Sequence, residues 1–362
     1  MPIDAGLAHL SNDLLMTAVA IYAVAMVAYA CDFAFGKKQA PAVAAARAPE
    51  LVGAKPLTVP AGARAGAPAE APASGAAEAA ASATAGGDAS GTGSGAAGVR
   101  DGRAGRDAIG RWVTIAVTLT SVGLAGHVIG VVTRGLAVHR LPWGDMYEFV
   151  TALTCVAVAF FLAVMIRYRA YYLGLFVMAA VVIVLGLAET VIYTPAGPLV
   201  PALQSYWLAI HVTAMTLATG VFFVAAVIGV TYLFVDRHAR RIAAGRRPGA
   251  DGILRRLPGP EALDRLAYRT VVFGFPIWTF GVIAGAIWAD SAWGSYWSWD
   301  PTETWAFITW VVYAGFLHAR ATAGWRGRRA AVIQLVAFGC LLFNVLVVSL
   351  AVPGLHSYAG LT

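Results

Sequence analysis

Charged side chains are scarce in this chain of 362 residues, at 12% of the total, while hydrophobic residues make up 59% and the mean hydropathy is +0.70. A soluble domain of this length needs about twice that share of charge to cover its surface, so a purely soluble fold is excluded. Cysteine is scarce too. Cys31, Cys155 and Cys340 lie in separate apolar runs, and no C-x-x-C pair or C-x-x-C-H sequence occurs. Thiol–disulfide exchange and covalent haem attachment to this chain are thereby excluded, and the three read as small packing residues. Nor is there a basic patch on a soluble domain of the kind that binds nucleic acid, despite a formal charge of +7.

What the chain has in quantity is long apolar runs. Crossing roughly 30 Å of hydrocarbon takes about 18 residues or more. Eight runs qualify, near 13–35, 111–133, 146–166, 171–190, 206–234, 271–289, 303–319 and 330–351. The first follows Asp4 and Asp13 and lacks a small-residue cleavage site, so it reads as a retained anchor at 1–38. Of the 26 Lys and Arg residues, 24 fall on alternate connections: 36–111, 167–170, 235–270 and 320–329. Basic residues stay on the cytoplasmic side, which predicts both termini, with loops 134–145, 191–205 and 290–302, outside. The expectation is an all-α membrane protein of about eight spans, N-out and C-out, in a bacterial cytoplasmic membrane with its active face outward.

Residues 39–110 are mostly Ala, Gly, Pro, Ser and Thr without apolar periodicity, which reads as a disordered cytoplasmic linker between the anchor and a seven-helix body at 111–362. Glu261–Arg269 is amphipathic and is expected to lie along the inner membrane surface.

Six of the 11 tryptophans, Trp288, Trp293, Trp297, Trp299, Trp305 and Trp310, fall within 23 residues. An interfacial aromatic belt accounts for Trp288 and Trp305, and lipid or helix contact for Trp310. It does not call for Trp293, Tyr296, Trp297 and Trp299 interleaved with Gly294 and Ser298, a pattern that suits a shelf for a flat apolar ligand. Asp300-Pro-Thr-Glu303 reads as a helix start, with Asp300 either a cap or a polar contact.

Histidine within a span is a functional candidate. His9 and His238 sit in polar context and read as solvated, while His127 reads as a packing residue beside Gly126 and Gly130. His211 lies about five residues into a span entered from outside, and His356 follows the Pro353-Gly354 break, also outside; both share the level of the aromatic loop. His318 lies about 22 Å further along its helix, at 1.5 Å per residue, near the cytoplasmic end. On residues alone it is equally a membrane ligand or a snorkelling interfacial histidine. His139 shares an outer loop with Arg134 and Arg140, cations suited to carboxylates, and its function stays open.

The string WGSYWSWDPTETW at 293–305 resembles the tryptophan-rich "WWD" signature of the haem-handling family that includes CcsA/ResC, CcmC and CcmF. His139-Arg-Leu-Pro-Trp-Gly-Asp-Met-Tyr-Glu148 resembles the loop of the CcsA/ResC branch, whose span count and motif order 111–362 matches; 1–110 is not covered. The resemblance implies a cytochrome c assembly domain with its WWD loop at 290–303. It implies haem b as transported substrate, His211 and His356 as outer axial ligands and His318 as an in-membrane ligand. Trp293, Tyr296, Trp297, Trp299, Asp300 and His139 would complete the binding surface. Implied partners are a ResB-like membrane subunit, apocytochrome c and a thiol-reducing thioredoxin-like protein. The implied activity is holocytochrome c synthase, or haem lyase, with that subunit. Two other readings stand beside it: a CcmC-like haem transporter without ligation, and a bis-histidine, quinone-linked membrane cytochrome.

Overall fold

The computed structural model describes residues 3–36, 110–198, 203–245 and 253–356, and the linker read at 39–110 lies, apart from Gly110, outside them. Among the described residues there is no strand. Eight long helices form the body: α1 Ala5–Phe35, α2 Arg111–Ala137, α3 Met146–Tyr168, α4 Gly174–Thr190, α5 Tyr206–Ala243, α6 Pro260–Trp293, α7 Pro301–Ala321 and α8 Arg328–Phe343. A π-helical segment, Asn344–Val348, continues α8. Seven, with the short lead-in to α4 and the continuation of α8 included, are long and apolar enough to cross a membrane. The exception is α7, which carries Thr302, Glu303, Thr304, His318 and Arg320. The chain is an all-α membrane protein.

Lipid tails are as apolar as leucine, so these helices associate through close packing rather than by escaping water. At Gly123 a Cβ would stand 2.7 Å from the Tyr22 ring, which is why α2 can lie directly on α1. Two cores result. Tyr22, Tyr29, Phe161, Leu173, Met178 and Ile228 join α1, α3, α4 and α5, and Phe222, Trp278, Tyr313, Phe316 and Leu341 join α5 through α8. The helix common to both is α5. Its apolar window is 78% buried against 28–56% for the other candidate spans, as expected of a helix apolar on all sides. The anchor helix belongs to the first core, with Tyr22 and Tyr29 buried.

Two local readings change. Glu261–Arg269 is not a separate surface helix: it is the first part of α6, with Leu263, Asp264, Leu266 and Ala267 buried. Nothing between 260 and 270 breaks the helix, and Arg320 anchors that end to Asp264 through two bonds of 2.8 and 2.9 Å. His238 is 7% exposed rather than solvated, because α5 continues to Ala243 and carries it on the face of Thr231 and Val235. His127 is held within the bundle, Nε2 against the Thr151 carbonyl at 2.9 Å and Nδ1 against the Tyr22 hydroxyl at 3.3 Å.

The α6–α7 turn marks one end of the bundle, here the aromatic end. Both described chain ends lie there, since Asp4 N–H donates to the Ala137 carbonyl at 3.0 Å and Leu355 N–H to Asp300 at 2.6 Å.

Candidate functional site at the aromatic end

The turn between α6 and α7 is short because α6 runs four residues beyond its apolar stretch, ending where Gly294 takes the left-handed conformation at φ 75°. The next helix begins with Pro301 in its first turn and a reciprocal capping box between Asp300 and Glu303. Between them Trp299 holds φ 59°, a conformation that costs a bulky residue about 1–3 kcal/mol. Its two neighbours hold it there. The backbone N–H groups of Ser298 and Asp300 both donate to Glu303 Oε2, at 3.0 and 3.3 Å, and Thr304 Oγ1 donates to the Trp299 carbonyl at 3.3 Å. Trp299 and Tyr296 are thereby presented outward, 69% and 60% exposed, with Trp297 set edge-on to Trp299 at 5.8 Å.

Behind this turn is a cleft of about 90 Å³, partly open to solvent, lined by His211, Trp288, Trp293, Trp297, Asn344 and His356 among others. His211 enters from α5. Its Nδ1 lies 2.8 Å from the Gly281 carbonyl, and its ring stacks on Trp288 at 5.9 Å and 14°. Gly285 is the residue that admits it, since a Cβ there would sit 2.6 Å from Cε1 and Nδ1 of the imidazole. His356 arrives from the C-terminal side, its ring 5.0 Å from Trp293 and 5.9 Å from Trp288. Its Nδ1 is 2.8 Å from Asp300 Oδ2.

Asp300 is therefore both cap and histidine partner, and is 6% exposed. Burial pulls its carboxyl upward, yet the hydrogen bond and charge of His356, with the N–H groups of Leu355 and Thr302, outweigh that and hold it below the ordinary value. An ionised Asp300 takes the Nδ1 proton of His356, and a carbonyl takes that of His211. In both rings Nδ1 is thus the nitrogen engaged by the protein. Two imidazoles, each oriented at Nδ1 by a polar partner, form a ligand pair of the kind that binds a transition metal when neutral, with the orienting group raising ligand basicity. No group of three or more His, Cys, Asp or Glu suited to a metal ion occurs among the described residues. Two imidazoles alone fit a metal that brings its remaining ligands with it, as iron in a macrocycle does.

Of the residues singled out by sequence, His211, His356, Trp293, Tyr296 and Trp297 line one cleft, with Asp300 directly behind it and Trp299 at its edge. Two are elsewhere. His318 is exposed near the far end of α7. His139 lines a separate, larger cleft with Trp143, Pro198 and Tyr206. Arg134 and Arg140 are not available to an anionic ligand as expected: both bond Glu148, at 3.1 and 2.7 Å, because that carboxylate is fully buried between them. Sequence reasoning missed Asn344 and gave Trp288 to the interface, where the structure buries it at 1% between the two imidazoles. An amide within the mostly apolar last span, which also holds Gln334 and Ser349, was the available signal for Asn344.

Residues 143–356, which contain the whole cleft, match the sequence model of the family "Cytochrome C assembly protein". The cytochrome c biogenesis protein CcsA of Synechococcus sp. (strain JA-3-3Ab) is 35% identical over 295 residues, covering 66% of this chain and 86% of that protein. That of Gloeobacter violaceus is 34% identical over 285 residues, covering 65% and 83%. Among solved structures, the cytochrome c heme lyase CcmF matches with a TM-score of 0.48 at 17% identity, over 66% of this chain and 42% of its own.

Proposed function

The chain belongs to the cytochrome c assembly protein family, and from that premise we propose that it carries haem b across the membrane and presents it at the aromatic end for attachment to apocytochrome c. Cytochrome c biogenesis follows from the family; the rest is the reading that the cleft favours. The observation that carries it is the pair of imidazoles, each held at Nδ1 at 2.8 Å, in one tryptophan-lined cleft.

In this reading His211 and His356 bind the iron, Trp293, Trp297 and Trp299 support the porphyrin, and Tyr296 and Asp300 orient its surroundings. Attachment adds each cysteine S–H across a vinyl group, forming a C–S bond and placing the hydrogen on the neighbouring carbon. The chain's contribution is positioning and the electronic influence of its imidazoles, without a dedicated acid or nucleophile. The substrate's own histidine replaces one of the two ligands as it docks. His318, an exposed histidine at the far end of α7, is suited to an earlier haem position shared with a ResB-like partner subunit. A thioredoxin-like reductant supplies the free thiols. The distribution of Lys and Arg supports a bacterial cytoplasmic membrane location with both termini and the cleft outside. Synthase activity, in the sense of a haem lyase, is assigned to the chain together with its partner.

Co-expression with a ResB-like protein and an apocytochrome, in a host without its own assembly system, should yield haem-stained cytochrome. A membrane-inserted pair that yields none overturns the synthase reading. His211→Gly and His356→Gly should each lose most bound haem, with exogenous imidazole restoring it; unchanged haem spectra in both would show that the iron is held elsewhere.

A further inference from the structure

Asn344 is held at one end only. Its Nδ2 donates to the Thr302 carbonyl at 3.1 Å, which fixes the amide orientation and makes Oδ1 the remaining end. That oxygen is buried, on a residue 6% exposed that lines the cleft, and it meets no donor among the described residues. A buried carbonyl without a donor is destabilising, so one that lines a binding cleft calls for a ligand that supplies the donor. Asn344 also opens the π-helical segment Asn344–Val348, a helix form concentrated at functional sites.

The donor does not come from haem. A metallated macrocycle has no pyrrole N–H, and its carboxylates are ionised at neutral pH. The cleft's own side-chain donors, the hydroxyls of Tyr296 and Thr302 and the indole N–H groups of Trp288, Trp293 and Trp297, line it without bonding this oxygen. A donor must therefore arrive with the polypeptide. An imidazole that binds iron through Nε2 carries its proton on Nδ1, and each imidazole of the cleft has its own acceptor for that proton, Gly281 for His211 and Asp300 for His356. A third imidazole needs a third acceptor. Resting on the function proposed above, we infer that Asn344 Oδ1 accepts the Nδ1–H of the histidine in the substrate's C-x-x-C-H segment, making Asn344 a recognition residue for the polypeptide rather than for haem.

The test uses the full-length chain, loaded with haem in nanodiscs. Two synthetic C-x-x-C-H peptides, with serine in place of both cysteines, differ only in a methyl group on the histidine Nδ1. The wild-type chain should bind the methylated peptide about tenfold more weakly. Asn344→Leu should bind the unmodified peptide about tenfold more weakly, show no further loss on methylation, and keep the wild-type haem spectrum. Equal affinities of the wild-type chain for the two peptides, a result that needs no variant to fold, overturn the inference. So do losses that multiply when the variant meets the methylated peptide. If the wild-type chain binds neither peptide, the reading of this cleft as a polypeptide site fails, and the inference fails with it.

Discussion

Two clusters of polar groups stand at the aromatic end, and they are arranged differently. In the first, Glu148 receives Arg134 at 3.1 Å, Arg140 at 2.7 Å and the Gly144 N–H at 2.7 Å, and the two guanidinium groups also donate to the carbonyls of Thr194 and Gly197. Most charges and dipoles there are turned toward one another, although Arg134 Nη1 and Arg140 Nε meet no acceptor among the described residues. In the second, His211, His356 and Asn344 are held by Gly281, Asp300 and Thr302 around one tryptophan-lined cleft, and the Asn344 Oδ1 meets no donor among the described residues. The first cluster fastens the 138–145 and 191–198 connections together. The second is built to receive something. Buried charge by itself therefore does not mark a site, nor does an unpaired polar atom; what sets the second cluster apart is the convergence of its polar groups on one aromatic cleft.

Breaking the first cluster should have the largest effect, and it should be an effect on folding. Glu148→Gln leaves Arg134, whose side chain is 2% exposed, with Asp145 at 3.8 Å as its nearest counter-charge. Removing one partner of a buried ion pair costs about 3–5 kcal/mol. The expected outcome is a severe drop in thermal midpoint and in the yield of monodisperse protein. A variant as stable as the wild type would show that this cluster does not fasten the two connections.

The second cluster should break the other way, losing ligand before fold. Asp300→Asn keeps the cap, since Asn caps helices as well as Asp does, but removes the charge behind His356. Loss of such an orienting partner typically lowers metal affinity by about 10–100-fold. Haem titration of the purified variant should show that loss with little change in thermal midpoint. Gly285→Ala is a steric version of the same test at His211. The added methyl falls 2.6 Å from the ring, so the imidazole must turn away from the Gly281 carbonyl, with an overpacking cost of about 1–3 kcal/mol. A loss of haem affinity of about tenfold is expected, and unchanged haem binding would remove Gly285 from the site.

Much of this contrast was legible in sequence, and the reasons are local. Runs of apolar residues specify helices wherever backbone groups must bond within the segment, which is why the eight helices follow the eight runs. The grouping of His211, His356 and the tryptophan loop followed from sidedness, because alternating spans put these segments at one end. Partnership was not legible. Whether Arg134 and Arg140 face a ligand or Glu148 depends on a fourteen-residue return of the chain, and whether Trp288 is a belt residue or a spacer depends on a C-terminal segment 68 residues away. Asn344 was overlooked because an amide gives no periodic signal, and its meaning depends on which of its two ends is already bonded.

The smallest predicted effect separates the clusters by pH. Asp145 and Asp300 have the same local part, each capping the N-terminus of a helix, yet their carboxyl groups are pushed in opposite directions. Burial, then the negative charge of Glu148, raises Asp145 to about 6 despite the Glu148 N–H bond and the nearby Arg134 and Arg140, whereas His356 and two backbone N–H groups outweigh burial and hold Asp300 below its ordinary value. Folded Asp145 thus keeps its proton to about pH 6, and unfolded Asp145 releases it near 3.8. The folded state binds more protons between those values, so stability from this group falls as pH rises through the window. Asp145→Asn removes the ionisation and keeps the cap. Its thermal midpoint relative to wild type should therefore improve from pH 4 to pH 8, by an amount equivalent to about 1 kcal/mol once relaxation and residual exposure are allowed for. Asp300→Asn should show no such gain, because over that range its wild-type carboxylate is already ionised and engaged with His356. A pH-independent difference for Asp145→Asn would mean that the arginines, not Glu148, govern this carboxyl, and that the closed cluster is less crowded with negative charge than its geometry implies.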